Sequence, residues 1–102
     1  MVQQIQDRLQ EFISLCKRHS VTSISLFGSA AKGTHHEGSD YDFLVRFSKD
    51  LNVLDYADNY FSLLEALEKL LGAKIDLVSG SSIKNPVLME EIERTKVEVY
   101  AA

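Results

Sequence analysis

The sequence predicts an α+β fold, a small mixed β-sheet with helices packed on one face. Three observations point there: two long segments with helical apolar spacing, several short segments that alternate with a period of two, and glycine or asparagine at the joints between them. Residues 3–19 form the first amphipathic segment, with Ile5, Leu9, Phe12, Ile13 and Cys16 recurring at three- and four-residue steps. Val21 to Phe27 is β-branched and alternating, which predicts a strand that runs into Gly28-Ser29. A short helix through Ala30, Ala31 and Lys32 should follow, stopped by Gly33, and residues 34–39 form a polar loop.

A second strand is expected over residues 40–47. Its period of two places Asp40, Asp42, Leu44 and Arg46 on one face. Tyr41, Phe43, Val45 and Phe47 then form the face that packs on helices. Residues 53–71 are the most regular helix, with Leu54, Ala57, Phe61, Leu64, Leu67 and Leu71 as its expected buried stripe and Gly72 as its C-cap. Lys74 to Val78 predicts a short strand. Asn85 and Pro86 are an N-cap and first-turn pair for a helix reaching about Arg94, and Lys96 to Tyr100 alternates as a last strand. No repeat, linker or low-complexity tract divides the chain, so residues 1–102 are expected to form a single domain.

Composition narrows the functional classes. The 102 residues include 15 acidic and 11 basic side chains, a formal charge of -4. A nucleic-acid binder normally carries a basic face, so no direct nucleic-acid contact is expected. One cysteine cannot form an internal disulfide, and no apolar run reaches the roughly 18–20 residues of a membrane span. No charged-then-apolar signal segment opens the sequence, and a cytoplasmic protein without membrane contact is the expectation.

The chemistry concentrates in Gly28-Ser29, Asp40-Tyr41-Asp42 and Asp76. A strand ending in Gly-Ser and leading into a helix offers free backbone N–H groups to a phosphate chain, and glycine permits close approach. The Ser29 hydroxyl adds a donor, and Lys32, one turn later, can reach the same anion. Two aspartates at i and i+2 of a strand point to one side and can grip one hard cation, or two about 3.5–4 Å apart. Asp76 alternates out of step with Ile75 and Leu77, so it joins Asp40 and Asp42 if its strand pairs beside theirs. Carboxylates so close repel unless divalent metal neutralises them. Each piece alone has an ordinary explanation as a turn or a solvated carboxylate. With usage near 5–7% per residue type, the four fixed positions of the first two motifs arise by chance in on the order of one chain in a thousand.

Leu26-Phe27-Gly28-Ser29-Ala30-Ala31-Lys32-Gly33, Ser39-Asp40-Tyr41-Asp42-Phe43-Leu44-Val45 and Lys74-Ile75-Asp76-Leu77-Val78 together resemble the minimal nucleotidyltransferase (MNT) family of the polymerase β-like nucleotidyltransferase superfamily. The likeness spans about residues 20–100. Lys32 departs from the family pattern, which often has arginine there; lysine keeps the charge and loses the bidentate fork. The resemblance implies a polymerase β-like palm that binds a nucleoside triphosphate with magnesium and transfers the nucleoside monophosphate to a hydroxyl. Carried onto this sequence, Asp40 and Asp42 would hold two Mg2+ ions, and Asp76 would hold the one that activates the acceptor. Gly28, Ser29 and Lys32 would bind the nucleotide phosphates.

Relatives that modify antibiotics or tRNA carry an additional acceptor domain, and this sequence ends soon after its last expected strand. Short forms resemble the antitoxins of toxin–antitoxin pairs whose other member is an all-helical HEPN ribonuclease. The function implied is transfer of AMP from ATP to a tyrosine hydroxyl of a HEPN toxin, neutralising it. The alternative is a non-catalytic antitoxin that binds and covers its partner. A transferase acting on a small molecule or an RNA end is a third reading, and it needs an acceptor pocket or a basic surface.

Other residues are read as structural. His35 and His36 belong to the loop before Asp40, and Cys16 falls on the apolar stripe of the first helix. Tyr56, Tyr60 and Phe61 have helical spacing suited to core or rim packing, with a partner interface as the alternative. Without a Gly-Lys-Ser/Thr ending, the Gly28-Ser29 loop is not a P-loop of the Walker type.

Overall fold

The computed structural model of the chain describes residues 3–28 and 41–102. Within these, helices α1 (Gln3–Asp7) and α2 (Leu9–Arg18) precede strand β1 (Val21–Phe27). Strand β2 (Tyr41–Phe47), helix α3 (Val53–Leu71) and strand β3 (Ile75–Ser79) follow. A 3-10 turn (Gly80–Ser82), helix α4 (Pro86–Thr95) and strand β4 (Val97–Ala101) complete the order. The short helix expected through Ala30–Lys32 and the loop over 34–39 lie outside the described residues. Among the described residues no helix is long and apolar enough to cross a membrane.

The sheet runs β3-β2-β1-β4 and is mixed. β1 pairs antiparallel with β2 and with β4, whereas β2 and β3 are parallel, joined across the sheet by α3. Alternation sets the faces. Ile24, Leu26, Tyr41, Phe43, Val45, Ile75 and Leu77 are buried in the main core, which Ile5, Phe12 and Cys16 of α1 and α2 cover together with Leu63, Leu67 and Leu71 of α3. The helices that build this core lie on the expected face. Burial pushes the Cys16 thiol up to about 12, so it behaves as a small apolar group. α4 is tied to the opposite face, where Glu93 sits 3.6 Å from Arg46 of β2. The Arg46 guanidinium also lies against Gly80, leaving no room for a Cβ there.

The caps explain the helix limits. The Asn52 side chain accepts the Asp55 N–H at 2.8 Å at the start of α3, and Gly72 ends that helix with φ +60°. Asn85 accepts from the N–H groups of Val87 and Leu88, with Pro86 in the first turn of α4. The single N-terminal helix expected over 3–19 is instead interrupted at Arg8, whose N–H turns to the Ile5 carbonyl. Gln4 holds the short first piece in place. Its amide donates to the Leu71 carbonyl and accepts the Tyr41 hydroxyl, so one exposed side chain links α1, α3 and β2.

The expected stripe of α3 is in the wrong phase at its first half. Leu54 is 77% exposed and Phe61 66% exposed, and the inward positions there belong to Tyr56 and Tyr60. Both tyrosines bury their rings against the core and spend their hydroxyls on β3: Tyr56 bonds to Ser79 and Tyr60 donates to the Leu77 carbonyl. Those two partners favour the tyrosines over leucine and phenylalanine at the seam. Leu67→Ala should therefore destabilise the fold by ~2–5 kcal/mol in urea melts. Phe61→Ala should stay within about 0.5 kcal/mol of wild type. Equal losses would contradict this phase.

Candidate active site

Three strand ends meet at one edge of the sheet. β1 arrives there with its last residues, while β2 and β3 begin there. Phe27 pairs with Asp42, and Asp42 pairs in register with Asp76 across the parallel ladder. Cross-strand neighbours in register share a face, so both carboxylates stand on the face opposite the main core. Asp42 is half-buried and Asp76 exposed. Strand spacing of about 4.8 Å brings the two like charges close enough to cost on the order of 1 kcal/mol at water-like dielectric.

Gly28 completes the corner. Its φ is +72°, and a Cβ built on it would stand 2.4 Å from Asp42 Oδ2. The Asp42 carboxylate thus packs directly over the bare Cα, at the point where β1 turns away from the sheet. Glycine is needed twice, for its backbone conformation and for the space. This contact was not legible from spacing, because it depends on the antiparallel register of β1 and β2.

Of the residues singled out from the sequence, the structure brings Gly28, Asp42 and Asp76 together. Ser29, Lys32 and Asp40 lie outside the described residues, as do His35 and His36. Among the described residues no group of three or more His, Cys, Asp or Glu side chains could hold a metal ion. The described part of the cluster is the carboxylate pair. Tyr60 is a neighbour that sequence reasoning assigned to packing. Burial raises its hydroxyl above the ordinary tyrosine range, with the charge of Asp76 and then Tyr56 adding to the effect. Its helical spacing alone gave no signal of that proximity.

Hard oxygen donors paired on one exposed face, next to a glycine that admits close approach, suit a divalent cation and a phosphate chain. The nucleotidyltransferase domain family matches residues 9–100. The chain belongs to that family. A protein of Methanocaldococcus jannaschii, named provisionally as a protein adenylyltransferase, is 43% identical over 82 residues, covering 80% of each chain. The protein adenylyltransferase MntA of Thermococcus cleftensis is 40% identical over 73 residues, covering 72% of this chain and 70% of its own.

Solved structures agree in fold. A structure named provisionally as a minimal nucleotidyltransferase superposes with a TM-score of 0.70 at 35% identity, over 91% of this chain and 90% of that one. A toxin–antitoxin complex with AMP-PNP contains a chain that superposes with a TM-score of 0.71 at 25% identity, over 92% of this chain and 73% of that one. The complex of a tri-AMPylated HEPN toxin with its MNT antitoxin, from Shewanella oneidensis, contains a chain alike in fold, with a TM-score of 0.64 at 21% identity over 95% of this chain and 72% of that one.

The Gly28–Asp42 contact can be measured. Gly28→Ala should cost about 2 kcal/mol or more, roughly 1 from the left-handed backbone and the rest from the clash. In an Asp42→Ala background only the backbone part should remain. The double-mutant cycle should then show a coupling of about 1 kcal/mol or more. Strictly additive costs would mean that the carboxylate does not sit over Gly28.

Proposed function

We propose that this nucleotidyltransferase is the antitoxin of a toxin–antitoxin pair and transfers AMP from ATP to a tyrosine hydroxyl of a HEPN ribonuclease toxin, in the cytoplasm. The observation that carries the reading is the in-register pair Asp42–Asp76 against Gly28, in a chain whose relatives are named for protein adenylylation. The paired carboxylates and the close glycine fit magnesium and a nucleoside triphosphate by donor chemistry. Asp40, Asp42 and Asp76 would hold two Mg2+ ions. When bound, these neutralise charge on the attacking and leaving oxygens of an in-line displacement.

The chain's own residues have separate tasks in this reaction. Gly28 and Ser29 would seat the β- and γ-phosphates through backbone and hydroxyl donors, and Lys32 would add a cation beside them. Asp76, exposed near the start of its strand, would take the proton from the tyrosine hydroxyl. A new bond then forms between the tyrosine oxygen and the α-phosphorus, the bond from that phosphorus to the bridging oxygen breaks, and pyrophosphate leaves. The like-charge pairing of Asp42 and Asp76 is a cost to the fold that a transferase recovers on binding cations.

Mixing the chain with the product of the adjacent reading frame, ATP and magnesium should add an AMP-sized mass to that product, which this reading expects to be a HEPN protein. Asp42→Asn or Asp76→Asn should slow that transfer by about a hundredfold or more, the equivalent of several kcal/mol of lost charge stabilisation. In magnesium-free buffer Asp76→Asn should leave the melting temperature unchanged or raise it, because a repulsion is removed. Protection from the toxin that persists with both aspartates replaced, with no mass increase for wild type across several triphosphates, would favour antitoxin action by covering the partner.

A further inference from the structure

The outward face of α3 is apolar where a solvated helix would be charged. Val53, Leu54 and Phe61 are 84%, 77% and 66% exposed. Leu54, Ala57 and Phe61 follow steps of three and four, so they form one stripe beside the buried one, and it ends at Leu64, where the helix packs on the core. The Phe61 ring leans edge-on against Tyr60 at 5.1 Å and lies outside the core. Between this stripe and β3 runs an open groove of about 540 Å³, whose walls include Ala57, Tyr60, Phe61 and Val78. Val78 is two residues from Asp76 on the same face of β3, so one wall of the groove continues along the strand toward that carboxylate.

β3 is an edge strand, and an incoming strand could in principle add to it. Two of its outward backbone groups are already engaged. The Ile75 N–H donates to Glu68 Oε2 at 3.4 Å, and the Leu77 carbonyl accepts the Tyr60 hydroxyl. The apolar side chains lining the groove suit a helix laid along it. Charge narrows the occupant further. α3 carries Asp55, Asp58, Glu65 and Glu68 against Lys69 alone, which complements an apolar face flanked by basic side chains.

We propose that the Leu54–Phe61 stripe and the adjoining groove are the docking surface for the acceptor protein, which enters as a helix whose apolar face is flanked by Lys and Arg and so delivers its hydroxyl to Asp76. The proposal rests on the adenylyltransfer reading above and adds the surface that selects the acceptor. Because the stripe is outside the core, it can be altered without unfolding the chain.

The test co-expresses the chain with the product of the adjacent reading frame, taken as its HEPN partner. Complex formation is measured by size-exclusion chromatography and titration calorimetry, and the HEPN protein is weighed after addition of ATP and magnesium. Phe61→Asp and Leu54→Asp should melt within a few degrees of wild type and keep the wild-type thermal shift with ATP and magnesium. Phe61→Asp should weaken the complex about thirtyfold or more and slow modification in parallel. Glu65→Lys should also weaken it, and added salt should do the same to wild type. Folded Phe61→Asp and Leu54→Asp proteins that bind the HEPN partner as tightly as wild type would overturn the surface assignment. So would a loss of self-association alone, which would make a second copy the occupant. If wild type neither binds nor modifies the HEPN protein, the functional reading itself fails, and the surface assignment fails with it.

Discussion

The register of the parallel β2–β3 ladder is the constraint on which the site depends. On the core face it sets Tyr41 against Ile75 and Phe43 against Leu77, and all four are buried. On the other face the same register sets Asp42 against Asp76. A slip of one residue would turn apolar side chains outward and carry a carboxylate into the core, at a cost of several kcal/mol for each misplaced group. The apolar pairs therefore hold together two charges that repel each other. α3 strengthens the register from above, since Tyr60 and Glu68 bond to the backbone of β3 while Leu63, Leu67 and Leu71 pack beneath. A helix that anchors both the core and the edge strand fixes the carboxylate pair without touching it.

Gly28 shows the same division between folding and chemistry. A larger residue at the end of β1 would relieve a glycine's conformational entropy, yet here it would collide with Asp42. The corner therefore keeps a left-handed glycine, a crowded carboxylate and a like-charge neighbour within a few residues of one another. Each is a local cost, and none contributes to the core. Such costs gather where a protein must leave room and charge for something else to bind. The opposite end of β2 is built differently: Arg46 covers Gly80 and pairs with Glu93, whose carboxyl is held below its usual range chiefly by hydrogen bonding to Lys96. There, an ion pair ties the helix that follows to the sheet.

Strand β1 and helix α3 were legible at both ends, because β-branched alternation and the Asn52 and Gly72 signals act locally. Asp42 and Asp76 were legible as outward carboxylates, since each breaks an apolar alternation. The expectation that they would share a face was conditional on their strands being neighbours, and that pairing is a tertiary fact which no local pattern contains. The break at Arg8 and the bridge made by Gln4 were not legible either. Both depend on where Tyr41 and Leu71 come to lie.

The phase of α3 is the most instructive difference, because it follows from a physical competition. Ranked by apolarity, Leu54 and Phe61 outbid Tyr56 and Tyr60 for the interior, and the spacing accommodates either choice. The helix crosses the sheet beside an edge strand, where the seam is half apolar and half backbone. A tyrosine satisfies both halves: the Tyr56 ring meets Phe47 and its hydroxyl bonds to Ser79, while the Tyr60 ring packs on the core and its hydroxyl donates to the Leu77 carbonyl, which leucine would leave without that partner. Once the tyrosines take the seam, helical geometry forces Leu54 and Phe61 outward by a rotation of under half a turn. The exposed stripe is thus a direct consequence of how the edge of the sheet is closed, and it emerges beside the strand that carries Asp76 because the closing residue, Tyr60, is bonded to that strand.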